Sequence, residues 1–131
     1  MEKYDWLQYR DFAQYLLNTI DKFEAPIVEE TIFRNILSRA YYSAYHYTRE
    51  YLECCGIEFS HGDSHIGVIT SVKSIDNNHS LLGIKLERLK KKRVDADYKH
   101  NFPYSKRDIE LSLRESINII DQIDQYKNGH H

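Results

Sequence analysis

Apolar residues recur at three- and four-residue steps along most of this chain, the spacing of helices that turn one face to a core. From about Tyr4 to Phe23, the residues Trp6, Tyr9, Ala13, Leu16, Ile20 and Phe23 share such a face. Pro26 suits the first turn of a second helix, where its missing N–H costs no hydrogen bond. That helix is predicted to run to about Cys55, with Ile32, Ile36, Ala40, Ala44, Tyr47 and Tyr51 as its stripe and Gly56 as its stop. At roughly 30 residues it exceeds the usual globular length and is expected to be the spine. Ile57 to Asp63 reads as a loop. Ser64 then caps a third helix to about Asp76, with Ile66, Ile69 and Val72 facing inward. Asn77-Asn78 is expected to break the chain, and Ser80 to cap a fourth helix from Leu81 to about Asp95, packed through Leu82, Leu86 and Leu89. Asn101-Phe102-Pro103 closes an irregular stretch, since the residue before proline disfavours helix. A last helix begins near Ser105 with Asp108 as its capping-box acid. Its stripe is Ile109, Leu113, Ile117, Ile120 and Ile123; Ile119 widens it and points to packing on two sides or on another subunit. The expectation is an all-α, up-and-down antiparallel bundle of about five helices, a single domain over residues 1–128. The closing residues 129–131 are a tail, and His130-His131 reads as the remnant of a purification tag.

Composition sharpens this picture in three places. With five Gly and two Pro among 131 residues, long stretches carry no break, which favours helices over strands and turns. Eleven Tyr are present, a residue that buries its ring while holding its hydroxyl at a wet boundary, suited to a small core or an interface. The net charge of −2 gives no global pull toward nucleic acid or anionic lipid, yet Lys85, Arg88, Lys90, Lys91, Lys92 and Arg93 crowd into one run. Such a run is either a solvated helix face or a phosphate-facing patch. The two cysteines, Cys54 and Cys55, are adjacent and build no disulfide framework, so they read as buried small residues in a reducing, cytoplasmic setting. No apolar run is long enough for a membrane span, and no secretory leader is evident.

Three pieces in order carry a resemblance. They are Ser38-Arg39-Ala40-Tyr41-Tyr42-Ser43-Ala44-Tyr45-His46, then Ser64-His65-Ile66-Gly67-Val68-Ile69, then Arg93-Val94-Asp95-Ala96-Asp97-Tyr98. Together they resemble the HEPN family, the nucleotide-binding domains of higher eukaryotes and prokaryotes. The resemblance implies a helical bundle that is usually a homodimer. It further implies either a metal-independent endoribonuclease of the toxin or defence type, often encoded beside a nucleotidyltransferase-like antitoxin, or a non-catalytic module that binds a nucleotide or docks on such a partner. No cofactor is implied.

Ribonuclease members of that family carry an Arg, four to six residues, then a His. Arg93 and His100 fit, with six residues between them. The chemistry gives the pair meaning. Cleaving RNA without a metal takes a base for the 2′-hydroxyl, an acid for the leaving oxygen and a cation for the phosphorane charge. Histidine serves either proton role near neutral pH, and arginine grips two phosphate oxygens without losing its charge. One site offers one such His, so two subunits would share a cleft. Lys90, Lys91 and Lys92 would steer the RNA backbone, with Asp95, Asp97 and Tyr98 in support. Arg39 and His46 satisfy the same spacing from inside the long second helix, where a structural pair or a supporting role near the cleft both remain open. Two departures from the ribonuclease pattern stand out. Val94 follows the motif Arg where active members often have a polar residue. Phe102 stands two residues beyond the His where some members carry a modifiable Tyr, and Tyr104 comes later. His61, Asp63 and His65 are too few and too close to the helix-start element to suggest a metal site.

Overall fold

A computed structural model describes residues 4–22, 26–59 and 64–129 of the chain, with the side chains of residues 26–28 outside that description. It contains α1 (Leu7–Thr19) closed by a 3-10 turn (Ile20–Lys22), α2 (Pro26–Cys54), α3 (Ser64–Lys73), α4 (Asn77–Tyr98) and α5 (Lys106–Gly129), and no strand among the described residues. The expected five-helix, all-α bundle is therefore present. Among the described residues no helix is long and apolar enough to cross a membrane.

The helix ends follow local chemistry. Gly56 takes φ of 83°, a conformation that costs a glycine little, and lets the N–H of Ile57 reach back to the carbonyl of Leu52 and its own N–H to Glu53. At α5, Ser105 and Asp108 exchange hydrogen bonds in the expected capping box: Ser105 N–H donates to Oδ2 of Asp108 at 2.8 Å, and Asp108 N–H donates to Ser105 Oγ at 3.2 Å. The fourth helix differs from its expectation. Asp76, not Ser80, is its N-cap and accepts from the N–H of His79 at 2.8 Å, so Asn77-Asn78 form its first turn instead of a break. The carboxylate of Asp76 outcompetes the turn preference of the asparagines. In consequence α3 stops at Lys73, three residues short of its expected end.

Side-chain pairings give the directions. Arg34 meets Lys99 while Tyr51 meets His79, so α2 and α4 run antiparallel. Lys92 meets Ser112 and His79 meets Tyr126, so α4 and α5 run antiparallel. Ser116 donates to the carbonyl of Ala40, and Tyr47 donates to Asp124, so α2 and α5 run parallel, with the small residues Ser43 and Ser116 in hydrogen-bond contact at 3.2 Å. The spine expectation for α2 holds, because its buried residues extend well beyond one stripe: Phe33, Leu37, Tyr41, Tyr45 and Leu52 join Ile32, Ile36, Ala40, Ala44 and Tyr51.

The core divides into two clusters along that spine. One joins the first half of α2 to Ala13 and Ile20, to Ala96, and to Ile109 and Leu113 of α5. The other joins the second half of α2 to α3, to Leu82, Leu86 and Leu89, and to Ile119 and Ile123. Ile119 is thus consumed inside the chain by two-sided packing, the first of the two alternatives its position suggested. Two inward assignments are corrected. Ile66 is exposed, and Val68 takes its inward place on α3. Cys54 and Cys55 are both exposed free thiols, because the last turn of α2 buries Tyr51 and Leu52 and turns the two cysteines outward. Phe23, His61 and Asp63 lie outside the described residues.

Candidate functional site

The last turns of α4 pack against the first half of α2, and this meeting positions Arg93. Its side chain is only 11% exposed, and Nη1 donates to Oδ2 of Asp97 one turn on, at 3.1 Å. The guanidinium carbon lies 5.4 Å from the ring centre of Tyr41 and 5.3 Å from that of Tyr42, within the range of cation–π attraction. Its Nε is buried and finds no hydrogen-bond partner among the described residues. Arg93 is therefore held, but not fully satisfied.

The end of α4 is fixed by a residue the sequence did not single out. Arg34 of α2 donates to the carbonyls of Ala96 at 2.6 Å, Lys99 at 2.9 Å and His100 at 3.4 Å, and lies over the ring of Phe102. A cation on the last carbonyls of a helix both satisfies them and complements the dipole. Arg34 also lines a small polar depression of about 110 Å³ with Asn35, Ser38 and Asp97. His100 itself is exposed; its backbone carbonyl is held by Arg34, and no contact between its side chain and Arg93 occurs among the described residues. Tyr98 is 75% exposed and points away from the packed face.

Asp95 has a different task. It is buried and accepts from the Tyr104 hydroxyl at 2.6 Å, with Lys91 and Lys99 each 3.6 Å away. The Tyr104 hydrogen bond, with both lysines, holds its carboxyl below the usual range, while burial and the same carboxylate push the Tyr104 hydroxyl up. This is a clasp between α4 and the segment leading into α5. The basic run does not form one patch. Lys91 turns to Asp95, Lys92 crosses to donate to Ser112 of α5 at 3.0 Å, Arg88 pairs with Glu115, and Lys90 is half-buried. Successive residues on a helix are turned by about 100°, so consecutive lysines must diverge.

Around Arg93 the structure gathers two other histidines. The Tyr41 hydroxyl and Nδ1 of His65 are hydrogen-bonded at 2.6 Å, and His65 stacks on Tyr45 at 4.2 Å. His46 lies 6.0 Å from the Tyr42 ring and stacks on Trp6 at 3.5 Å. Burial, with Arg49 and His65 adding positive charge nearby, lowers the His46 pKa to about 4, so its imidazole is neutral at pH 7. Arg39, the other half of the second Arg-to-His spacing, lies over the rings of Tyr9 and Phe12 instead. Arg39 and His46 thus each meet α1 aromatics. Tyr41, Tyr42 and Arg34 were invisible as site residues in the sequence, since tyrosines at helical spacing read as core. The one available signal was the shared face of Ser38, Tyr41, Tyr42 and His46 on α2.

Among the described residues no group of three or more His, Cys, Asp or Glu side chains could hold a metal ion. No family model, curated protein or solved structure matches this chain.

Proposed function

We propose that this bundle acts on RNA as a metal-independent endoribonuclease of the HEPN type, at a cleft completed by a second copy of the chain. The observation that carries the reading is Arg93, a largely buried guanidinium on a tyrosine cradle with an unsatisfied Nε, on the helix end that leads into the Arg34-anchored segment bearing His100. A phosphate entering there displaces Asp97 and takes both faces of the fork. The 2′-oxygen then attacks phosphorus as one His100 accepts its proton, and the partner subunit's His100 protonates the departing 5′-oxygen. The products are a 2′,3′-cyclic phosphate and a free 5′-hydroxyl, with the phosphorane charge met by Arg93. The chain offers one His100 per subunit, which is why two are required.

A second reading draws on the same contacts. Arg93 is already neutralised by Asp97, and Val94 supplies no polar group, which suits a non-catalytic module that binds a nucleotide or docks on a nucleotidyltransferase-like antitoxin. Cleavage of a defined single-stranded RNA by purified protein, by His100→Ala and by Arg93→Gln separates the two. Loss of cyclic-phosphate product in both variants supports the nuclease. Product formation that survives His100→Ala, or none from the unaltered protein, rules it out and leaves the binding module.

A further inference from the structure

Away from Arg93, the face where α1 crosses α2 carries an uncommitted cation. Tyr4, Gln8, Tyr9, Phe12 and Arg39 line an open depression of about 450 Å³, the size of a small-ligand pocket. Phe12 is 44% exposed and Tyr4 48% exposed, so both rings offer surface to solvent. The Arg39 guanidinium lies 4.8 Å from the Tyr9 ring centre and 5.8 Å from that of Phe12. Its Nε is buried without a hydrogen-bond partner, and no carboxylate pairs with it among the described residues. This platform is held in advance of any ligand: Trp6 packs edge-on against Tyr4 and Tyr9 at 4.7 and 5.4 Å, and its own stack on His46 pins the start of α1 to α2.

Exposed rings beside an unneutralised guanidinium match one chemistry well, a flat base joined to an anionic phosphate. A base stacks on the ring or guanidinium face, the fork takes phosphate oxygens, and the Gln8 amide can meet base edges. The geometry points to this depression as a base-stacking subsite that holds one unpaired nucleotide of single-stranded RNA, with Phe12 and Tyr4 as the platform and Arg39 as the phosphate clamp. The inference rests on the RNA reading above and adds a second point of contact to it. A duplex is refused because its bases are already stacked and paired.

The test uses a 2′-O-methyl oligoadenylate, which lacks the attacking hydroxyl and so binds without being cleaved. Trp6, the only tryptophan of the chain, reports directly through its contacts with Tyr4 and Tyr9. The expected result is quenching of Trp6 fluorescence by the single strand but not by its duplex with oligouridylate. Phe12→Ala and Arg39→Gln should each weaken binding about tenfold, and Phe12→Leu, which keeps the bulk but not the ring, should resemble Phe12→Ala. Unchanged affinity in these variants, while Lys90→Gln, Lys91→Gln and Lys92→Gln together abolish binding, overturns the subsite and leaves the RNA reading standing. Absence of binding by the unaltered protein at low salt overturns both. A shift from dimer to monomer in Phe12→Ala, with oligoadenylate affinity unchanged, overturns the subsite by giving the face to a second copy of the chain.

Discussion

His79 and Arg93 lie at opposite ends of α4, and each is a largely buried basic side chain set among tyrosines beside one aspartate. His79 is 3% exposed. Its Nδ1 meets Asp76 at 2.8 Å, its Nε2 meets the Tyr51 hydroxyl at 2.9 Å, and its ring stacks on Tyr126 at 4.1 Å. Both ring nitrogens are used, and the acceptor is also the helix cap. Among the described residues Arg93 has one partner for its fork, two tyrosine rings beneath it and an Nε with nothing to bind. Buried polar groups are nearly always satisfied, so the complete set at His79 fits a structural role, and the open Nε of Arg93 is what the proposed phosphate site rests on.

The strongest way to break this contrast is to remove the histidine. His79→Ala should cost about 2–4 kcal/mol, because it opens a cavity and strands the buried Tyr51 hydroxyl. Urea denaturation measures this, and a loss under about 0.5 kcal/mol would remove the structural pole of the comparison. On the proposed ribonuclease reading, Arg93→Gln should do the reverse, lowering RNA cleavage about 100-fold while stability falls by about 1 kcal/mol or less.

A pH titration sharpens the comparison further. His46, on the Arg93 side, has a folded pKa of about 4 against 6.5 for an ordinary imidazole in water. The unfolded chain therefore binds that proton first, and the stabilising contribution is complete above pH 6.5 and lost as pH falls toward 4. The loss should be on the order of 1–2 kcal/mol after allowance for partial solvation. His46→Gln should flatten stability across that window, as followed by thermal unfolding at stepped pH. Asp76 acts lower. Its carboxyl, held down by the His79 N–H and side chain, contributes above its unfolded pKa near 3.8 and releases that contribution only as pH falls further. The smallest effect belongs to Asp97→Asn, which frees Arg93 from its resting ion pair. Single-stranded RNA affinity should rise about threefold at low salt, consistent with a weak, partly exposed pair.

The sequence was most informative where a rule is local. The Ser105/Asp108 box and Gly56 placed two helix ends, and period-3.6 stripes placed all five helices. It misled where two local rules competed, as at Asp76 against Asn77-Asn78, and at Cys54-Cys55, whose exposure depends on which side of the last turn of α2 faces the core. The site was legible only as residues of the right chemistry. Arg34 reaches across 62 positions to Ala96, and nothing in its neighbourhood announces that reach. The divergence of Lys90, Lys91 and Lys92 could have been read from helix geometry. Their partners on α5 and in Asp95 could not.

The division of the core along α2 has a consequence for how the protein opens. Its first half is roofed by α1 and its second by α3, while α4 and α5 span both. Backbone amides of Ala40 to Ala44, where the two clusters meet, should exchange with deuterium only on global unfolding. Those of α1 and α3 should exchange through separate partial openings. Such an opening of α1 would expose Arg39 and His46 together, while leaving His79 and its network closed.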